Sequence, residues 1–300
     1  MTAQAFGDQY TKQKLDTVEK YLRPYASALK NQSFKLLYID ACAGSGSSIP
    51  KSATKAEEEN ARQDLLGGFA APVFDADQIL TGSAVRALGI EPPFYRYLFN
   101  DLKRSNVHAL SDIVRADFSH LEDRIEITQL DANKMLLDVC SAYDWNKTRA
   151  VVFLDPFGLQ INYETLLALG RTKAVDLWYL VPVFAMYRQV SGDGHINPDG
   201  GPRVDAALGT TAWRDVAVVE QHSNDLFDLP QLKTERAVDI AWFEKIAKER
   251  IGEAFGGRVL DETLRLGKDS IHYFSLMFAW ANPSPKANEL AKRLARAVLK

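Results

Sequence analysis

Four aspartates follow apolar runs between residues 36 and 155, each where a strand is expected to end. They are Asp40, Asp101, Asp131 and Asp155. Open α/β sheets bind ligands outside the carboxyl ends of their strands, and a carboxylate there can accept hydrogen bonds from ammonium or other polar donors. The pattern therefore predicts a row of ligand acceptors along one edge of a sheet. Taken singly, each aspartate is equally compatible with a solvated strand end or a helix cap.

The first aspartate opens a glycine-rich loop, Asp40-Ala41-Cys42-Ala43-Gly44-Ser45-Gly46. The apolar run 36–39 before it predicts a buried parallel strand. Two of the loop residues, Gly44 and Gly46, permit positive φ and a close approach of ligand to backbone, which a Cβ would block. The loop lacks the third glycine of a dinucleotide fingerprint, and Asp40 precedes it, so a nicotinamide-dependent dehydrogenase is disfavoured.

Strands alternate with helices from residue 36 to residue 181, which predicts an α/β fold with a mostly parallel, Rossmann-like sheet. The predicted strands span 36–39, 94–99, 125–130, 151–154 and 174–181, and an antiparallel hairpin of 258–264 and 271–279 completes seven strands. A first helix is predicted over 11–29, with Lys12 and Lys14 in a solvated first turn. Ser83 is a predicted cap for a short helix over 82–88.

Length and composition predict one domain over residues 1–300 with two insertions. The chain has 300 residues, of which 46% are apolar, enough for a large core. Residues 47–81 lack periodicity and predict a lid-like or flexible insertion. Residues 187–237 contain many turn formers, with a surface loop expected over 191–202.

Composition also limits the classes of site and partner. The formal net charge is −3, so no global basic field indicates nucleic acid, although a local basic groove would suffice. Two cysteines, Cys42 and Cys140, and five histidines show no metal-ligand spacing, and both cysteines are expected as small core residues. No leader and no apolar run of about 18 residues is present, which predicts a cytoplasmic protein without a membrane segment.

Two motifs resemble those of class I S-adenosylmethionine-dependent methyltransferases. The segment 40–46 resembles their D-x-x-A-G-x-G loop, and Asp155-Pro156-Phe157-Gly158 resembles the D-P-P-[YF] tetrad of amino-methyltransferases. More narrowly, nearly the whole chain resembles the three-Cys-motif partner (TcmP) family. The shared features are Lys14-Leu15, the 39–46 loop with its long insertion, Gly82-Ser83-Ala84, the 153–158 motif and the strand 273–279.

The resemblance implies a class I methyltransferase fold that binds S-adenosylmethionine. Ala43, Gly44 and Gly46 would form the loop that admits the amino-acid end of this cofactor, with Asp40 accepting from its ammonium directly or through water. Asp101 would hold the ribose hydroxyls. Asp131 would accept from the adenine amine, and Ala132 would supply a backbone donor.

The resemblance further implies transfer to an amino group, with a nucleobase of RNA or DNA as the leading analogue. The Asp155 carboxylate and the Pro156 carbonyl would receive the two amine hydrogens, and Phe157 would stack on the substrate ring. The aromatic residue is shifted by one position from the usual tetrad, and the acidic 187–237 insertion, placed where this fold often recognises substrate, argues against simple phosphate tracking. A small metabolite or a protein side chain therefore stays an alternative substrate.

Two other interpretations stay open from the sequence. The tetrad is also compatible with a strand end that carries a proline turn and a buried phenylalanine. The family name implies a companion protein bearing three cysteines, for which an iron–sulfur enzyme is one candidate. In that case the chain would be a non-catalytic partner or adaptor, and Asp155 would be dispensable.

Overall fold

The computed structural model describes residues 3–46, 81–224, 230–268 and 271–299. The predicted lid-like insertion 47–81 lies outside these ranges except for its last residue, and residues 225–229 of the second insertion also lie outside them. Among the helices of the described ranges, none is both long and apolar enough to cross a membrane.

Seven strands form one sheet, and two more form a separate hairpin. Their bounds are β1 Lys35–Asp40, β2 Arg96–Asn100, β3 Ile125–Thr128, β4 Thr148–Leu154, β5 Val175–Val181, β6 Val218–Asn224, β7 Pro230–Arg236, β8 Leu264–Lys268 and β9 Ile271–Trp280. The sheet order is β3-β2-β1-β4-β5-β9-β8, while β6 pairs with β7.

Strands β1 to β5 are parallel, and β9 runs antiparallel to both β5 and β8. This confirms the predicted Rossmann-like α/β fold with a mostly parallel seven-stranded sheet and a terminal antiparallel hairpin. Parallel strands covered on both faces have near-continuous apolar sequences, and the run 150–154 of β4 is fully buried accordingly. Register aligns Asp40 with Phe99 of β2 and Phe153 of β4, so these strands end at the same edge.

Helices cover both faces of the sheet. The α-helices are α1 Ala3–Leu29, α2 Ser83–Leu88, α3 Arg104–Asp117, α4 Ala132–Ala142, α5 Tyr163–Arg171, α6 Val183–Tyr187, α7 Gly201–Leu208, α8 Trp213–Ala217, α9 Ile240–Ala254 and α10 Pro285–Val298. A short 3₁₀ helix spans Ser119–Arg124.

The predicted first strand of the closing hairpin, 258–264, is wrong in its bounds. Two parts of this region bond to β9: the Leu260 amide donates to the Phe278 carbonyl at 2.9 Å, and β8 begins only at Leu264. The exposed acidic pair Asp261 and Glu262 separates them. Solvated charged side chains do not favour continuation of a buried strand, so the continuous strand starts after this pair.

Two further local predictions need correction. Gly82, not Ser83, is the N-cap of α2, and it makes no side-chain capping bond. Ser83 is the first helical residue, and its side chain lowers the pKa of the Asp40 carboxyl. The predicted surface loop 191–202 ends inside α7, and the 187–237 insertion also contains α8 and the β6–β7 hairpin.

Within its apolar face, helix α1 makes a polar contact with the sheet through Tyr21. Tyr21 is fully buried, and its ring lies edge-on to Trp178 with 5.3 Å between ring centroids. Its hydroxyl donates to Asp176 Oδ2 of β5 at 2.6 Å. Burial raises the pKa of Asp176 to about 7, while the Tyr21 hydrogen bond and the Arg149 charge act against the rise.

The Tyr21→Phe variant tests this contact. Because the folded pKa of Asp176 lies above its ordinary value, raising the pH through about 7 lowers the free energy of unfolding. Losing a donor to the ionised carboxylate adds to that loss. We expect a decrease of about 1–3 kcal/mol at pH 8 and a smaller decrease at pH 5.5, measured by urea denaturation. Tyr25→Phe is the matched control, and equal losses for both variants would contradict the role of Asp176.

Candidate functional site

The four predicted aspartates gather around the loop that follows β1. Cys42 lies in that loop. Burial raises the pKa of its thiol well above the ordinary value, and four negative charges raise it further, those of Asp40, Asp155, Asp101 and Asp131. A charge has this effect only at short range. The structure therefore brings the strand-end carboxylates together, as the sequence predicted.

Asp40 is the most deeply buried of the four, with no exposed surface. Its Oδ1 accepts from the Cys42 amide at 3.2 Å, whereas its buried Oδ2 has no hydrogen-bond partner among the described residues. Burial raises the pKa of Asp40 to about 7, the Ser83 and Cys42 hydrogen bonds lower it, and the Asp155 and Asp101 charges raise it. A buried acceptor without a donor is costly, so a donor supplied by a ligand, directly or through a water, would satisfy this atom.

The two loop glycines have different surroundings. Both have positive φ, 63° at Gly44 and 78° at Gly46. A Cβ on Gly46 would lie 2.9 Å from Leu110 Cδ1, whereas a Cβ on Gly44 would meet no atom of the described residues within 4 Å. The Gly46 carbonyl also accepts from the Gly82 amide at 3.0 Å. Gly46 therefore packs against the protein, and Gly44 borders open space.

Asn100, at the end of β2, connects three strand ends and was not singled out from the sequence. Its buried amide nitrogen donates to the carbonyls of Ala41 and Leu130, both at 3.0 Å. Its oxygen accepts from the Leu130 amide at 2.9 Å and from the Thr128 hydroxyl at 2.8 Å. The Ala43 amide donates to the Asn100 carbonyl at 2.8 Å, so Asn100 fixes the glycine loop from both its side chain and its backbone.

Asp101 binds the glycine loop directly. Its Oδ2 accepts from the Gly44 amide at 3.0 Å, and its Oδ1 accepts from the Lys103 amide at 2.8 Å and from Asn106 Nδ2 at 3.0 Å. Each carboxylate oxygen can accept about two hydrogen bonds, so Oδ2 retains capacity for one further donor. The contact with Gly44 places Asp101 next to the proposed ligand space.

Asp131 caps α4, and the residues after it organise the neighbouring loop. Its Oδ1 accepts from the amides of Asn133 at 2.9 Å and Lys134 at 3.1 Å, which is the helix-capping alternative noted for each aspartate. Ala132 is the first residue of α4, so its N–H has no partner within the helix. Asn133 donates to the Gln160 carbonyl at 2.7 Å and thereby ties α4 to the loop after β4.

Asp155 forms an ion pair with Lys14 of α1, the contact that sequence reasoning missed. Lys14 Nζ bonds Asp155 Oδ2 across 141 residues of sequence, and the side chains are only 15% and 25% exposed. The expectation that Lys14 lies in a solvated first turn is therefore wrong. Its neighbour Lys12 is 62% exposed and pairs with Asp16, so the expected solvation is confirmed for Lys12. The helix begins at Ala3 rather than at residue 11, so neither lysine lies in its first turn.

The rest of the tetrad presents an aromatic ring at the surface. Pro156 is buried, but Phe157 is 52% exposed. Its amide donates to Gln160 Oε1 at 3.1 Å, and Lys103 Nζ lies 5.6 Å from the centroid of its ring. The alternative of a buried phenylalanine after the proline turn is therefore contradicted.

The cysteines are not activated thiols. Burial raises the pKa of Cys140 to about 11 and that of Cys42 well above its usual value, and a raised pKa suppresses the reactive thiolate. Over residues 3–46, 81–224, 230–268 and 271–299, no cluster of histidine, cysteine and acidic side chains could hold a metal ion.

Comparison with known proteins adds a distant likeness in fold. No protein-family model matches the sequence, and a search of curated proteins gave no significant match. Among solved structures, the chain is similar to the crystal structure of protein LPL1258 from Legionella pneumophila str. Philadelphia 1, of the family model DUF519. The identity is 12% and the TM-score 0.46, over 99% of this chain and 94% of that one. At this level the likeness carries no functional argument.

Alanine substitutions at Gly44 and Gly46 distinguish the glycine that packs against the protein from the glycine that borders open space. We expect Gly46→Ala to lower the free energy of unfolding by about 2–4 kcal/mol, since it adds a steric contact to the strain of positive φ. Gly44→Ala adds strain alone, about 1–2 kcal/mol. Urea denaturation of both variants measures the difference, and an equal loss would contradict the assignment.

Proposed function

We propose that this protein is an S-adenosylmethionine-dependent methyltransferase that acts on an amino group. The observation that carries the proposal is the unpartnered, buried Oδ2 of Asp40, set among three further strand-end aspartates beside a glycine that borders open space. This combination suits a ligand that has an ammonium group and several other donors. The motif resemblance of residues 40–46 and 155–158 supports the same cofactor.

The residues present fit this cofactor. Asp40 Oδ2 would accept from its ammonium, which would satisfy the buried oxygen. The remaining capacity of Asp101 Oδ2 suits a ribose hydroxyl, and the helix-terminal N–H of Ala132 suits an adenine nitrogen, with Asp131 beside it. The cofactor supplies a methyl group on a sulfonium, which is transferred by in-line displacement.

The substrate side rests on the tetrad. A carboxylate on Asp155 and a carbonyl on the buried Pro156 would accept the two hydrogens of an amine and orient its lone pair. The exposed ring of Phe157, with the Lys103 ammonium nearby, is suited to stacking on a planar substrate. A nucleobase in RNA or DNA is the leading substrate class, and a small metabolite or a protein amine is the alternative.

The Lys14–Asp155 ion pair favours a second candidate function. Because Asp155 already has a charged partner, its carboxylate would be needed for holding α1 rather than for chemistry. The chain would then be a non-catalytic, cofactor-binding partner of a cysteine-rich companion protein. The two candidates differ in what removal of the Asp155 charge does to methyl transfer.

Cofactor affinity should depend on the protonation state of Asp40. Its pKa is about 7, and only the ionised carboxylate attracts an ammonium, so we expect binding to strengthen as the pH rises from 5.5 to 7.5. An α-amino group itself loses its proton near pH 8, which limits the gain at higher pH. Isothermal titration calorimetry with S-adenosylmethionine measures this dependence.

The Asp40→Asn variant should weaken binding about tenfold at pH 7.5 and remove the pH dependence below that value. Asp138→Asn, on an exposed aspartate of α4, is the matched control and should behave as wild type. Undetectable binding of cofactor by the wild type at millimolar concentration would refute both candidate functions.

Two variants that break the Lys14–Asp155 ion pair distinguish the enzyme hypothesis from the adaptor hypothesis. Asp155→Asn and Lys14→Met each break the same partly buried contact, so both should lower stability by a similar amount, about 1 kcal/mol. If Asp155 orients the substrate, only Asp155→Asn should also reduce methyl transfer, by about 100-fold or more. Transfer is measured as incorporation of labelled methyl into fractionated cell extract.

The controls for this comparison are cofactor affinity and Lys12→Met, which removes an exposed lysine two residues before Lys14 in the same helix. Wild-type transfer that is unaffected by Asp155→Asn would remove Asp155 from the mechanism. Cofactor binding without transfer by any of these proteins would favour the adaptor.

A further inference from the structure

A cavity of about 350 Å³ lies at the edge of the sheet opposite to the edge that carries the four aspartates. Trp280 lines it and pairs with Asp176, near the amino end of β5, whereas Asp40 and Asp155 lie at carboxyl ends. The seven residues of β5 span roughly 20 Å at the usual rise per residue. This cavity is therefore separate from the proposed methyl-transfer site.

Three basic side chains line the cavity, against one acidic side chain, Asp261. Arg296 is paired with Glu262 at 2.9 Å. Arg258 donates to two neutral carbonyls, those of Trp280 and Gly256, both at 3.2 Å. In the part of the chain that the structure describes, Arg258 and Lys292 form no ion pair, so their two positive charges face one carboxylate of the lining, that of Asp261.

A second cavity nearby has a different charge pattern. It has a volume of about 370 Å³ and also contains basic residues. There, Arg265 pairs with Glu244 at 2.7 Å, and Lys245 lies 3.8 Å from Glu249. Its cations are matched by carboxylates within the same cavity, so it offers no comparable attraction for an anion.

Hydrogen bonds and ring contacts hold the residues around Arg258 and Lys292 in place. The Trp280 indole donates to Asn288 Oδ1 at 2.8 Å, and Lys292 Nζ lies 5.7 Å from the centroid of its ring. Before Arg258 the chain turns through Gly256 and Gly257, at φ 63° and 80°. The Arg258 guanidinium is in turn held by the Trp280 carbonyl, so a planar donor and an ammonium both line the cavity.

We propose that this cavity binds the phosphate group of a phosphorylated ligand. A phosphate monoester carries close to two negative charges and a backbone phosphodiester carries one, and both have several acceptor oxygens, which suits one guanidinium and one ammonium that approach from different segments. Trp280 is only 2% exposed, so its ring is not available for stacking on a base, and recognition is of the phosphate. The phosphate belongs either to a small phosphate ester or to a nucleic-acid backbone. This inference does not depend on the proposed methyl transfer.

Calorimetric titration of the full chain with inorganic pyrophosphate tests the proposal at low ionic strength, where charge interactions are least screened. We expect Lys292→Gln to weaken binding about tenfold and Lys292→Arg, which keeps the charge, to retain most of the affinity. Lys286→Gln is the matched control: it removes an exposed lysine of the same helix outside the cavity and should leave affinity within about twofold.

Arg258→Gln should weaken binding at least as much, but it also removes bonds that hold the turn, so its thermal unfolding is measured beside its affinity. A parallel titration with a short single-stranded oligonucleotide distinguishes the two sources. Lys292-dependent binding of pyrophosphate assigns a small phosphorylated ligand, and Lys292-dependent binding of the oligonucleotide alone assigns a nucleic-acid backbone. Binding of neither probe, or equal losses in Lys292→Gln and Lys286→Gln, would overturn the proposal.

Discussion

The carboxyl ends of β1, β2 and β3 are joined by the hydrogen bonds of one buried amide, Asn100. It joins the loop after β1, through Ala41, to the loop after β3, through Leu130. A buried amide that loses its partners costs more than the bonds contribute when made, so these loops cannot shift independently. Asn100 thereby fixes the relative positions of aspartates that come from separate strands.

The four aspartates share a location but differ in their hydrogen bonding. Asp101 and Asp131 already accept backbone bonds that hold the glycine loop and α4, and Asp155 is paired with Lys14. Asp40 alone combines full burial with an unpartnered oxygen and a pKa near 7. A carboxylate in that environment is costly to ionise without a cation, which is why it is the most informative residue for the ligand.

Sequence reasoning recovered the sheet and the aspartates because both rest on local patterns. A buried parallel strand is a continuous apolar run, and the polar residue after it marks the edge of the sheet. The start of β8 was misplaced because Val259 and Leu260 are as apolar as strand residues, and only the exposed Asp261 and Glu262 show where the strand is interrupted. Asn100 and Lys14 were missed since their roles depend on partners distant in sequence, 141 residues away for Lys14.

The Lys14–Asp155 ion pair bears on both candidate functions, because an amine substrate would need the carboxylate that Lys14 already binds. The Lys14 side chain ends in an amino group, so the Asp155 carboxylate is in a position that accommodates this type of donor. An amine substrate would have to compete with Lys14 for the same oxygen, and part of its binding energy would offset the lost ion pair. Because the pair is only partly exposed, that offset is larger than for a surface pair. A substrate with a ring that stacks on Phe157 would gain binding energy that offsets the lost ion pair, which favours a planar amine over an aliphatic one.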